Sequence, residues 1–218
     1  MDDRRPPRSW LGGLLPLAAT IAVVVGASGC FTGERPTLAD EPTTGSPAVD
    51  AVVERVNALG DAVYTASYDV VTTFDNKTTP VRASQSGTSR RSLTIGDVRY
   101  LIDGASTQTC TVSTSECTDT IDAARVSDVQ MTPDFFGTSL AARLRHDAEV
   151  AVADPTTSTE DIQGQPAACT SIPVDGSTNT YCVLDNGVLG RMEAGDLVIT
   201  MTAYEPGADA SLFTEGGD

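Results

Sequence analysis

The sequence predicts an α+β fold built on an antiparallel sheet, and three observations carry that prediction. Apolar stripes at helical spacing, each opened by a capping residue and a proline, occur at residues 47–59 and 132–146. Between and after them, apolar residues alternate with polar ones, the period of a half-buried strand. Turn residues break that alternation at intervals too short for crossover connections, so neighbouring strands must form hairpins.

The elements follow in order. Ser46-Pro47 supplies an N-cap and a proline at the first helical position, and Val49, Val52, Val53, Val56 and Leu59 share one face before Gly60 ends the pattern. So many valines lower intrinsic helix propensity, and this helix depends on packing. From Ala62 the period changes: Tyr64, Ala66, Tyr68, Val70 and Phe74 fall on one side, with Thr65, Ser67, Asp69 and Thr73 on the other. Asp75-Asn76-Lys77 has turn chemistry, and strands are expected at 78–86, 89–95, 98–103 and 106–112, separated by Gly87, Gly96-Asp97 and Asp103-Gly104. Thr132-Pro133-Asp134 repeats the cap signature, and Phe135, Phe136, Leu140 and Leu144 mark a second helix up to Arg145-His146. Strand signals resume at 148–153, 165–174, 179–185, 188–193 and 197–204, with Asn186-Gly187 as a two-residue hairpin turn. Residues 47–205 form one domain, since about 160 residues suffice for one core and are too few to argue for two. Residues 206–218 are expected to be an acidic flexible tail, with Phe213 its candidate for docking.

The first thirty residues decide where that domain works. Arg4, Arg5 and Arg8 form a basic start, Trp10 to Ala27 an uncharged and mostly apolar run, and Ala27-Ser28-Gly29-Cys30 a small-residue segment ending in cysteine. This resembles the signal and lipobox of bacterial lipoproteins, with Ala27 where a larger aliphatic residue is usual. The resemblance implies that residues 1–29 are removed and that Cys30 carries diacylglycerol and becomes the N-terminus. The two acyl chains of that group, palmitate among them, would hold the chain to the outer face of the cell membrane, because a second acyl chain turns marginal anchoring into stable anchoring. An ordinary secretory signal cut near Gly29 and an uncleaved anchor compete with it. The anchor is short of the roughly 20 apolar residues a bilayer asks for and contains Pro16 and Gly12-Gly13. Residues 30–46, with Pro36, Pro42, Gly33 and Gly45 and no apolar period, read as a flexible tether.

The formal net charge is −16, and removal of residues 1–29 would leave 11 basic and 28 acidic residues, or −17. Such a surface repels nucleic-acid phosphates, so no nucleic-acid partner is expected. The single lysine, Lys77, against thirteen arginines reads as a high-GC, actinobacterial coding bias. Aromatics make up 5% of the chain and the one tryptophan lies in the signal, so the core must be mainly Val, Leu, Ile and Ala.

With Cys30 assigned to lipid, Cys110, Cys117, Cys169 and Cys182 remain, an even number in an exported chain and hence two disulfides. Three pairings are possible. Cys110 with Cys117 and Cys169 with Cys182 is favoured because each pair flanks one predicted hairpin, and loops this short give about 2–3 kcal/mol each. Neither spacing suits a zinc site or a two-residue redox motif.

Catalytic signals are sparse. His146 is the only histidine and lies at a predicted helix C-terminus, where the dipole suits it. Gly137-Thr138-Ser139-Leu140-Ala141 lacks the last glycine of a nucleophile elbow, and no phosphate or calcium loop is present. No enzyme activity, cofactor or metal is therefore expected. The aromatic stripe Tyr64, Tyr68 and Phe74 reads first as core, with a ligand-cavity lining as the alternative.

Taken together, the lipobox, the helix leading into Tyr64-Thr65-Ala66-Ser67-Tyr68, the long meander, the middle helix, and the return through Gly187-Val188-Leu189 to 197–204 resemble actinobacterial lipoproteins of the LppX and LprG kind. The layout is similar, more loosely, to the LolA-like carriers. That resemblance implies a strongly bent antiparallel sheet, a half-open barrel, with helices covering its concave face and room for acyl chains. Tyr64, Tyr68, Phe74, Phe135, Phe136, Leu140 and Leu144 would then line or lid an apolar ligand cavity. A monomer that binds a lipid or other apolar molecule is the first expectation. The other is an interaction lipoprotein with a filled core, acting on an envelope protein partner.

Overall fold

The computed structural model describes residues 43–214; Cys30, the signal and most of the tether lie outside the described residues. The chain runs α1 (Pro47–Asn57), β1 (Val63–Thr72), β2 (Lys77–Ser86), β3 (Arg90–Ile95), β4 (Val98–Asp103), β5 (Ser106–Thr111), β6 (Glu116–Thr118), α2 (Leu140–Glu149), β7 (Thr156–Ile162), β8 (Gln165–Val174), β9 (Ser177–Leu184), β10 (Leu189–Glu193) and β11 (Leu197–Glu205). All eleven strands form one antiparallel sheet in the order β6-β5-β4-β3-β2-β1-β11-β10-β9-β8-β7. The two halves, β1–β6 and β7–β11, are each meanders of neighbours. They meet where β1 pairs with β11, from Thr65 opposite Glu205 to Thr72 opposite Leu197, with a register shift at Ser67/Tyr68. Among the described residues the sheet does not close, and β6 and β7 are its edges.

The helices lie against one side of the sheet, where α1 contacts β8, β9 and α2. Its stripe Val49, Val52, Val53 and Val56 is buried, as the spacing predicts. Ser46 is the N-cap by its backbone, whose carbonyl accepts from Val49 and Asp50, but its side chain makes no capping bond. Thr44 fastens the start instead, its amide and hydroxyl both donating to Asp50 Oδ1 at 2.8 Å. The end of α1 is held by the β9–β10 turn. Gly187 sits so close there, at φ +87°, that a Cβ would lie 2.3 Å from the Arg55 carbonyl oxygen, so only glycine fits.

Four expectations are corrected. The second helix does not run from Thr132: a π-helical turn at Phe135–Ser139, non-helical at Gly137, precedes it, and α2 begins at Leu140. Proline and glycine within five residues weaken any continuous helix here. Residues 148–153 are not a strand. They are the last turn of α2, where the Val150 amide still donates to the His146 carbonyl, and an open segment with Val152 65% exposed. One strand went unforeseen, β7, whose Thr-Thr-Ser-Thr-Glu-Asp run has no apolar alternation to betray it, whereas β6, three residues long, is the second arm of the expected Cys110–Cys117 hairpin. Finally, the described part of the tail is docked. Thr65 Oγ1 donates to the Gly207 carbonyl, Asp209 pairs with Arg82 at 2.9 Å, Leu212 is buried, and the Arg90 guanidinium lies 4.8 Å from the centre of the Phe213 ring.

Both disulfides join directly opposed residues of adjacent strands. Cys110–Cys117 ties β5 to β6, and Cys169–Cys182 ties β8 to β9. The second lies on the side of the sheet facing away from the helices. There β7 curls back until Ile162 packs on Gly190 of β10, closely enough that a Cβ at Gly190 would meet Ile162 Cδ1 at 2.8 Å. A flat sheet would hold strands three places apart at about 14 Å, so the sheet turns sharply here.

Candidate functional site

The helix-covered side of the sheet is where the family resemblance implies a ligand cavity. β1 sends Tyr64 and Tyr68 into it, both 1% exposed, because its alternation puts even-numbered residues on that face. From the other side the π-helical turn contributes Phe135 and Phe136, and α2 contributes Leu140 and Leu144, all buried. Tyr68 and Phe136 are stacked with ring centroids 4.7 Å apart, and Phe135 meets Phe136 edge-on at 5.6 Å. These six residues belong to one continuous buried cluster with the α1 valines and with Leu189, Met192, Leu197 and Ile199.

Phe74 does not join them. β1 ends at Thr72, and Phe74 stands in the following turn, 67% exposed. Thr73 and Phe74 already belong to the turn, where strand parity assigns no face.

The pockets described along residues 43–214 are open surface clefts of about 200–400 Å³. None is lined by the six inward residues. One of about 200 Å³ lies at the mouth between sheet and helices, walled by Gln85, Arg91, Asp134 and Gly137. There Arg91 pairs with Asp134 at 2.8 Å, and Gln85 donates to the Leu59 carbonyl at 2.6 Å. Behind this mouth the six inward residues are buried in one apolar cluster.

One polar feature of that interior has no partner: the Tyr68 hydroxyl is buried without a hydrogen bond among the described residues. Burial first, and then the neighbouring Tyr64 and Tyr204, hold its phenol well above the ordinary value. Tyr64 is pushed up in the same direction, also by burial.

A second constellation was not foreseen. Asp147 of α2 is 7% exposed and accepts from Asn179 Nδ2 at 2.7 Å and from the Tyr181 hydroxyl at 2.5 Å. Arg143 donates to the Tyr181 oxygen at 3.2 Å and forms an ion pair with Asp196 in the β10–β11 turn. Burial and then the hydrogen bond to Asp147 raise the Tyr181 phenol. Burial opposes the charge of Arg143, yet its bonds to Asp196 and Tyr181 keep it above its ordinary value. The cluster clasps α2 to β9. Its signal was present in the sequence, since Leu140, Leu144 and Asp147 share the i, i+4, i+7 stripe, and a carboxylate on a buried stripe needs partners.

Nothing in these two groups assembles a nucleophile with a base. Ser139, weighed as a hydrolase serine, meets the Thr132 hydroxyl at 3.1 Å, and His146 is exposed. Glu160 lies beside Cys169 and Cys182, whose sulfurs are joined to each other rather than free to bind metal.

No known protein family matches the chain, and no curated protein matches it. Among solved structures it is similar to the MucA/MucB complex of Pseudomonas aeruginosa, with 13% identity and a TM-score of 0.49 over 77% of this chain; the chain spans 60% of the length of that relative. It is also similar to the lipoprotein LppX of Mycobacterium tuberculosis (14% identity, TM-score 0.36, 75% of this chain and 98% of that one). A LolA superfamily protein from Nitrosomonas europaea compares likewise (10% identity, TM-score 0.35, 76% and 97%).

Proposed function

We propose that this chain is a non-catalytic lipoprotein, anchored through Cys30 at the extracytoplasmic face of the cell membrane, that works through its surface on another envelope protein. The observation behind the surface reading is the filled interior: Tyr64, Tyr68, Phe135, Phe136, Leu140 and Leu144 are buried against one another where a carrier needs space. In the bent, half-open arrangement that the resemblance implies, the helices complete a core. The signal, residues 1–29, directs export, and the segment from Cys30 gives the domain its reach. No helix among the described residues is long and apolar enough to cross a membrane.

A second reading keeps an apolar ligand. The unpartnered Tyr68 hydroxyl and the non-helical Gly137 beside Phe136 favour it, since movement of the π-helical turn would expose both the rings and that hydroxyl. Native mass spectrometry of the full chain purified in detergent from an actinobacterial host, followed by organic extraction, separates the two. The acylated chain alone supports the surface reading. An additional stoichiometric lipid, lost when Phe136 and Leu140 are replaced by bulky polar residues, overturns it in favour of the carrier. For the anchor, Cys30→Ser should move the chain from the membrane fraction to the aqueous one, and retention in the membrane would refute lipidation at Cys30.

A further inference from the structure

The two edges of the sheet differ, and the difference identifies a docking strand. Edge β6 is three residues long and pinned by the Cys110–Cys117 disulfide, which leaves little backbone to offer. Edge β7 is seven residues long and pairs with β8 without a register shift. Thr156, Thr157, Ser158 and Thr159 are all exposed. Sheets commonly protect such an edge with charged side chains, lysine above all, with proline, a bulge or a covering element, and of these β7 has only the carboxylates of Glu160 and Asp161. β7 has no lysine, proline or bulge within its span, and among the described residues its backbone bonds only to β8.

The geometry also says which groups are free. β7 and β8 are joined by Gln163-Gly164, both with positive φ (54° and 73°), a two-residue hairpin loop that closes on the hydrogen-bonded pair Ile162 and Gln165. Counting back, Glu160, Ser158 and Thr156 bond to β8. Thr157, Thr159 and Asp161 turn their amides and carbonyls outward. Pro166, opposite Asp161, agrees with this parity, because a residue without an N–H fits where none is needed toward β7.

We propose that β7 is the surface through which the chain receives its partner, by accepting an extended, lysine- or arginine-bearing segment as a twelfth strand. Charge selects that occupant. The strand and its approach carry Asp154, Glu160 and Asp161 and no basic residue, on a chain of net charge −16; Glu160 is already paired with Arg191 of β10, which leaves Asp154 and Asp161 to meet a basic partner. A second copy of this chain would bring the same negative charge. Main-chain bonds at Thr157, Thr159 and Asp161 would supply affinity, and the carboxylates would supply selectivity.

This rests on the surface reading above and specifies where it acts. The test uses the full chain in detergent and a short synthetic peptide of alternating valine and lysine, with the glutamate counterpart as control, followed by amide exchange. The expected result is slowed exchange at Thr157, Thr159 and Asp161 with the lysine peptide alone. Thr159→Pro removes an outward donor without touching the β7–β8 ladder and should weaken binding roughly tenfold or more. Should that variant fold poorly, Thr157→Lys with Thr159→Lys should reverse the preference toward the glutamate peptide. Absence of protection at these amides, equal binding of both peptides, or the same protection arising from self-association without peptide would overturn the proposal. A lipid adduct in the mass spectrum would instead refute the surface reading and leave the peptide result standing, so the two failures are distinguishable.

Discussion

Tyr68 on the central strand β1 and Phe136 on the π-helical turn lie ring on ring, with centroids 4.7 Å apart and an interplanar angle of 26°. The contact joins the middle of the sheet to the segment leading into α2. Phe136→Ala should cost about 3–5 kcal/mol in urea unfolding, since it removes the stack and leaves a cavity where neighbours relax only partly. A loss below about 1 kcal/mol would mean that Phe136 is loosely held and that the interior is easily vacated.

Two of the buried tyrosine hydroxyls, on Tyr68 and Tyr181, should respond to the same substitution with opposite sign. Tyr68→Phe deletes a hydroxyl that has no partner, and is expected to leave stability unchanged or raise it by about 1 kcal/mol. Tyr181→Phe takes a donor from the buried Asp147 and should lower stability by about 1–3 kcal/mol. Equilibrium unfolding of both variants checks the pair, and equal effects would contradict the hydrogen-bond assignment.

Stability should fall at both ends of the pH range. Tyr64, Tyr68 and Tyr181 are held neutral to higher pH in the fold, mainly by burial, so the unfolded chain ionises first. Their contribution is complete below about pH 10 and is lost as pH rises beyond it. For Asp196, burial works against the charge, but the hydrogen bond from Arg143 outweighs it and holds the carboxyl below its ordinary value of 3.8. That contribution is complete above the ordinary value and is lost as pH falls below it. Denaturant midpoints across pH test both limbs, and Tyr68→Phe should flatten the alkaline one.

Replacing Cys169 and Cys182 together by alanine should cost about 3 kcal/mol, and replacing Cys110 and Cys117 about 2.5 kcal/mol, from the entropy of the loops they close. The first pair is fully buried and ties inner strands, while the second pins an edge. Thermal unfolding of the two double variants should therefore rank them in that order.

The layout was legible in the sequence where period and punctuation agree. The α1 stripe, the hairpins from β1 to β5 and the four strands β8–β11 all have alternation bounded by Gly, Asn or Asp. The cysteine hairpins followed from the same turns. β7 was hidden because an exposed edge strand needs no apolar face, so Thr156–Asp161 lacks alternation and its threonines alone are a weak sign. Val150 and Val152 misled in the opposite direction, as exposed β-branched residues that imitate a strand. For the candidate site, the inward residues of β1 and α2 could be named from periodicity, but Phe74 lay past the strand end. Whether Phe136 fills the interior depends on how the π-helical turn sets its ring against Tyr68, a three-dimensional relation that spacing does not encode.

The seam between β1 and β11 gives the chain a particular order of assembly. Residues 63–118 can lay down their hairpins from local contacts, but β1 keeps one edge open until residues 197–205 arrive to cover it. That waiting edge belongs to the strand bearing Tyr64, Ala66, Tyr68 and Val70, an adhesive template if left bare. Long-range pairing of this kind is slow, because loop closure precedes any reward in contacts. A polypeptide truncated before Leu197 would thus leave the β1 edge bare, a strand open to pairing with other chains.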